Sequence, residues 1–136
     1  FEIDTCYYQN IKNGKDITLE DGRVIENQLL TFDPIAPKSY AFCSDTAYDE
    51  RIIPNIENAD ILYHEATFLD TEQHLSEKTM HSTAKEAASI AQKANVGQLI
   101  LGHYSTRYES IQKFKEEAET IFPNVLLADD GVSFEF

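Results

Sequence analysis

Asp45, His64, Glu65, His81 and His103 place carboxylates and imidazoles roughly twenty residues apart, and Arg107 follows the last of them. Carboxylate and imidazole donors together suit divalent metals such as zinc. An arginine at a helix start suits a phosphate. The intervals match no compact local motif, so any shared chemistry needs the fold to gather these groups. Each also has a plain structural role open to it. Asp45 fits a turn or helix cap, His64 a hydrogen-bonded core histidine and Glu65 an ion-pair partner. His81 could simply precede a helix cap, and Arg107 could be exposed. His103 follows the apolar run Leu99-Ile100-Leu101-Gly102, where a partnerless histidine is uncomfortable, and metal ligation and a structural role stay equally open. His74 reads as solvated, and Cys6 and Cys43 as small core residues.

The elements that must position these groups alternate. A short strand over 16–19 and its return over 23–25 flank the hairpin dipeptide Asp21-Gly22. Two prolines in 31–38 suit a connection and exclude a central strand. Residues 39–43 read as a buried strand that stops at Ser44-Asp45-Thr46. A helix over 51–58, disturbed by Pro54, precedes a strand over 60–64. Residues 68–81 are polar, with a possible helical turn. Thr83 and Glu86 have capping-box spacing before an alanine stripe, and Gly97 reads as that helix's stop. A buried strand covers 98–102. Thr106 and Glu109 repeat the capping-box spacing before a helix ended by Pro123. Strands over 125–128 and 132–136 close the chain. This pattern predicts an α/β layered fold with a mixed sheet and flanking helices, with polar clusters at the carboxyl ends of strands.

Length and charge bound the function. The 136 residues suit about one domain. Eleven Lys and Arg against 24 Asp and Glu leave a net charge of −13, which excludes a basic nucleic-acid-binding module. Hydrophobic residues at 42% suffice for a core and exclude a disordered acidic tail. No apolar run approaches a membrane span, and the acidic start Phe1-Glu2-Ile3-Asp4 does not read as a signal peptide. Two cysteines make neither a disulfide framework nor a zinc knuckle, so a cytoplasmic protein is expected. The chain starts at Phe1 and not at Met, which suggests a longer reading frame.

Four motifs in order resemble the C-terminal half of ribonuclease Z, the metallo-β-lactamase-fold endonuclease of transfer-RNA 3′ processing. They are Ser44-Asp45-Thr46, His64-Glu65-Ala66-Thr67-Phe68, His81-Ser82-Thr83 and the run from Leu101 to Tyr108. Asn13-Gly14-Lys15 and residues 19–23 are also similar to that family, and the resemblance covers about 10–136. The family's His-x-His-x-Asp-His motif is absent. The resemblance therefore implies that 1–136 is a single partial domain, half of an αββα sandwich, with 1–14 the return segment of an RNA-binding arm.

It further implies two zinc ions per complete site, with Asp45 bridging them, His103 a terminal ligand, and the other ligands upstream. Glu65 would orient and charge His81, the proton donor to the leaving 3′ oxygen. Arg107, helped by Ser105, would hold the scissile phosphate, and His64 would be structural. The implied substrate is precursor tRNA and the implied assembly a homodimer. The 136-residue segment alone is expected to be inactive. The alternatives are another metallo-β-lactamase-fold hydrolase, phosphodiesterase or arylsulfatase-like, and a non-catalytic half-fold assembly module.

Overall fold

The Asp21-Gly22 dipeptide turns the chain back on itself. Gly22 takes φ +84°, a left-handed value open to glycine, and the Asp21 side chain accepts from the Arg23 backbone N–H at 3.0 Å. Strands β1 (Ile17–Thr18) and β2 (Val24–Ile25) then pair antiparallel and bury Ile17 and Ile25. They are shorter than the sequence pattern suggests, because Leu19 and Arg23 already belong to the turn. Before them stand a 3₁₀ turn (Thr5–Tyr7) and helix α1 (Tyr8–Lys12). The Asn27 side-chain amide donates to the Ile11 and Lys15 carbonyls and ties α1 to the hairpin. These elements form one compact unit, Phe1–Pro37, and Lys38–Phe136 forms the second. The computed structural model describes residues 3–135.

The second unit is built on four parallel strands in sequential order. These are β3 (Tyr40–Cys43), β4 (Ile61–Glu65), β5 (Gln98–Gly102) and β6 (Val125–Leu127). The mixed pairing expected from the sequence is thus divided, parallel here and antiparallel in the separate hairpin. Between the strands come α2 (Ile53–Ile56), α3 (Gln73–Thr79), α4 (Ala84–Lys93) and α5 (Gln112–Ala118). Thr83 and Glu86 form the capping box of α4. The stripe Ala84, Ala87, Ala88 and Ala91 is fully buried in one core with Leu62, Leu99, Leu101, Phe114 and Ala118. Each of those leucines is worth roughly 1.5–3 kcal/mol.

Alternation along the strands sends Tyr40, Phe42, Tyr63 and Ile100 to the opposite face. Tyr40 and Phe42 remain 52% and 63% exposed there, and the Phe42 and Tyr63 rings stack at 4.6 Å.

Strand β3 is therefore not the buried strand the sequence suggests. Four further expectations need correction. Asn95, at φ +52°, makes the left-handed turn after α4, and Gly97 serves a close approach instead. A Cβ on Gly97 would sit 2.7 Å from the Asp60 carbonyl oxygen. Thr106 caps no helix, because residues 105–108 form a turn, closed by Tyr108 N–H to the Ser105 carbonyl, and α5 begins only after Ile111. Residues 132–135 form no strand, since Val132 N–H closes a turn onto the Asp129 carbonyl, and Phe134 lies by Tyr40 and Phe42 on the open face; Phe136 falls outside the described residues. Cys6 is exposed, while Cys43 is partly buried at the core.

Candidate functional site

The carboxyl ends of β3, β4 and β5 lie side by side, because the register pairs Cys43 with His64 and Glu65 with Gly102. The loops leaving them carry Asp45, Thr67 and His103. The α3–α4 loop brings His81 to the same place. A parallel bridge between Phe68 and Thr83 fixes that loop, with Phe68 N–H donating to the Ser82 carbonyl and Ala84 N–H to the Phe68 carbonyl.

Glu65 organises the site. Its side chain is fully buried and accepts five hydrogen bonds, from Thr46 N–H, Thr67 N–H, Thr67 Oγ1, Ser82 N–H and His81 Nδ1. The shortest two, from His81 and Thr67, are 2.7 Å. Burial pushes the carboxyl pKa up, but the bonds from Thr67, His81, Ser82 and Thr46 together outweigh it and hold the group below the ordinary glutamate value. Glu65 is therefore a buried, ionised and saturated acceptor. His81 gives it Nδ1–H and keeps Nε2 free.

Three ligand atoms, one each from Asp45, His81 and His103, lie within 4.8 Å of one another. The His103 Nε2 to Asp45 Oδ1 distance is 3.3 Å, and the two imidazole rings stand 5.2 Å apart. One carboxylate and two imidazoles at this spacing fit a zinc-type divalent ion. The backbone is held in an uncommon conformation around all three. Asp45 and His103 have φ of +49° and +62°, and Met80, just before His81, has φ +61°. Left-handed non-glycine residues cost of order 1 kcal/mol or more each and persist where the surroundings over-determine them.

Arg107 lies beside the cluster and not within it. Its Nε donates to Ser105 Oγ at 3.2 Å, and its guanidinium stacks over Phe68, 5.0 Å from the ring centre. The Phe68 ring is 6.4 Å from that of His81. Glu72 is its charged neighbour, at 3.7 Å. His64 stands apart from the cluster. It is fully buried, its Nδ1–H donates to the Glu65 carbonyl at 2.8 Å, and its Nε2 has no partner among the described residues. Burial pushes its pKa below 6.5, so it is neutral in the fold near neutral pH.

Thr67, which sequence spacing does not single out, touches both Glu65 and His103. A threonine two residues after a strand-end glutamate carries no signal of its own. Gly102 leaves room for the Tyr63 side chain, whose ring and hydroxyl a Cβ there would strike. Around His103 the surface is lined by Asp129 and Asp130, which attract a cation and repel a phosphate.

No family profile matches the chain. Relatives of known name do. It is 47% identical over 132 residues to the ribonuclease Z of Parabacteroides distasonis, covering 97% of this chain and 43% of that one. This chain is related to ribonuclease Z. The ribonuclease Z of Anoxybacillus flavithermus is 45% identical over 129 residues, 93% of this chain and 41% of that protein. The chain thus spans less than half the length of the curated relatives it matches.

Among solved structures, the metallo-β-lactamase fold protein YhfI of Bacillus subtilis superposes with a TM-score of 0.67 at 29% identity, covering 72% of this chain and 40% of that one. A long-form ribonuclease Z from yeast gives 0.59 at 28% identity, over 67% and 12%. The fold is that of the metallo-β-lactamase proteins, with a parallel sheet and flanking helices. Among the described residues no helix is long and apolar enough to cross a membrane.

Proposed function

We propose that this chain supplies part of the active site of a zinc-dependent endoribonuclease that removes 3′ trailers from precursor tRNA. The observation that carries the reading is the cluster of Asp45, His81 and His103 around the buried Glu65. In it, Asp45 and His103 hold metal, and further ligands come from a preceding half of the protein. Zinc, when bound, would supply a water whose pKa is lowered toward ~7 and positive charge for phosphate oxygens. Glu65 orients His81 so that Nε2 faces outward and passes a proton to the leaving 3′ oxygen. Arg107, aligned by Ser105 and Phe68, pairs with the scissile phosphate after parting from Glu72. His64 supports the Glu65 backbone from the core.

The same reading makes 1–136 one part of a sandwich, its C-terminal half, with the open face of Tyr40, Phe42 and Tyr63 meeting the other half. Residues 1–14 then return from an RNA-binding arm, and the parent is a cytoplasmic homodimer. A surface of net charge −13 repels RNA, so tRNA affinity comes from the metal, Arg107 and groups outside this segment, and the segment alone is inactive. A second reading, another hydrolase of the same fold, draws on the likeness to YhfI. The test is cleavage of a precursor tRNA, against small phosphodiesters, by the longest natural chain containing these residues. A chelator-sensitive cut after the discriminator base supports the nuclease, and turnover of small phosphodiesters alone supports the second reading.

A further inference from the structure

The Thr67 hydroxyl has one proton and three neighbours able to take it. Its Oγ1 lies 2.7 Å from Glu65 Oε2, 2.9 Å from His103 Nδ1 and 3.0 Å from the His103 carbonyl oxygen. An ionised carboxylate can only accept, and a charge-assisted bond is the strongest of the three. The proton therefore goes to Glu65, with the His103 carbonyl oxygen as the weaker arm of a three-centre bond. The hydroxyl then faces His103 Nδ1 with a lone pair, and Nδ1 must carry hydrogen, because two lone pairs at 2.9 Å would repel. In a neutral ring that leaves His103 Nε2 bare, and it points at Asp45 Oδ1 from 3.3 Å. Two acceptors so close then call for a positive centre between them, a metal ion or a proton on the ring.

We infer that Thr67 is a positioning residue for His103, its hydroxyl, locked by Glu65, fixing the ring with Nδ1–H inward and Nε2 free for metal. One buried carboxylate then sets both imidazoles, His81 directly and His103 through Thr67. Such outer hydrogen bonds fix the tautomer and orientation of metal-binding histidines and typically change metal affinity by 10–100-fold. The inference rests on the metal-centre reading given above. A merely structural Thr67, bracing the loop through the His103 carbonyl, would leave the ring free to choose its tautomer.

The test is the histidine ring ¹⁵N spectrum of the metal-free protein, in the longest natural chain containing these residues, at a pH where the rings are neutral. His103 is expected as the Nδ1–H tautomer in the unaltered protein. Thr67→Val should move it toward Nε2–H and weaken Zn²⁺ binding about 10–100-fold, and Thr67→Ser should restore both. An Nε2–H tautomer in the unaltered protein would overturn the inference without any variant having to fold. So would a folded Thr67→Val protein that binds Zn²⁺ as tightly as the parent. Failure of the unaltered protein to bind Zn²⁺, with His103 still Nδ1–H, would overturn the metal reading and uphold the hydrogen-bond relay.

Discussion

The inner and outer parts of the site are built on opposite terms. Around Glu65 every acceptor position is used, by donors from the β3, β4 and α3–α4 loops, and none of the side chain is exposed. At the rim, the Asp45 side chain is 74% exposed and its ion-pair contact is with His103, at 3.3 Å. Arg107 rests on Phe68 and Ser105 with one distant carboxylate partner. The inner network is saturated and the rim is not. A metal centre needs both, because ligand atoms must be free while their supports are not.

Breaking the inner network should have the largest effect. Glu65→Gln replaces a saturated acceptor by a group that brings its own N–H donors among Thr46, Thr67 and Ser82. It should lower unfolding free energy by about 3 kcal/mol or more in denaturant titration and abolish cleavage. Asp45→Asn touches no such network. It should leave stability within about 0.5 kcal/mol while reducing Zn²⁺ affinity by at least ~100-fold, beyond what loss of an outer hydrogen bond does. Equal destabilisation by both would erase the distinction between core and rim.

His81 sharpens it, since it belongs to both regions, with Nδ1 on Glu65 and its ring in the cluster with Asp45 and His103. His81→Ala should slow cleavage by ~10²–10⁴-fold with zinc content unchanged, the signature of a proton donor. Zinc lost from that variant would make His81 a ligand. A smaller change is expected at Glu72→Gln, which frees Arg107. It should tighten substrate binding a few-fold in KM, and an unchanged KM would remove Arg107 from the phosphate's path.

The smallest effect is on pH. His64 is buried with its pKa depressed, so the unfolded chain takes up a proton that the fold does not. The stability present above pH about 6.5 should be lost as pH falls toward and through the lower folded-state value. His64→Phe should flatten that part of the curve. Glu65 acts in the same direction lower down, where its stabilisation is lost as pH falls through its depressed folded-state value.

The strands, the capping box of Thr83 and Glu86 and the polar ends of β3, β4 and β5 were legible because each is a local pattern. The helix expected from Thr106 was not, because this segment is anchored to the loop after β4 by tertiary bonds. Ser105 N–H goes to the Thr67 carbonyl, and the Tyr108 hydroxyl accepts from Leu69 N–H. The final strand failed because a strand needs a partner, and 132–135 pair with none among the described residues. Asp45, His81 and His103 could be named from residue type, but their convergence depends on parallel register and on three left-handed residues. Thr67 stood within the His64–Phe68 motif without a role of its own, since that role lies in partners 2 and 36 positions away.

The most direct measurement is cleavage of a precursor tRNA by the longest natural chain containing these residues, with and without chelator, and with product ends mapped. The expected result is a zinc-dependent cut just after the discriminator base. A folded, zinc-loaded protein that leaves precursor tRNA intact would contradict the account and move the site to another hydrolase of the fold.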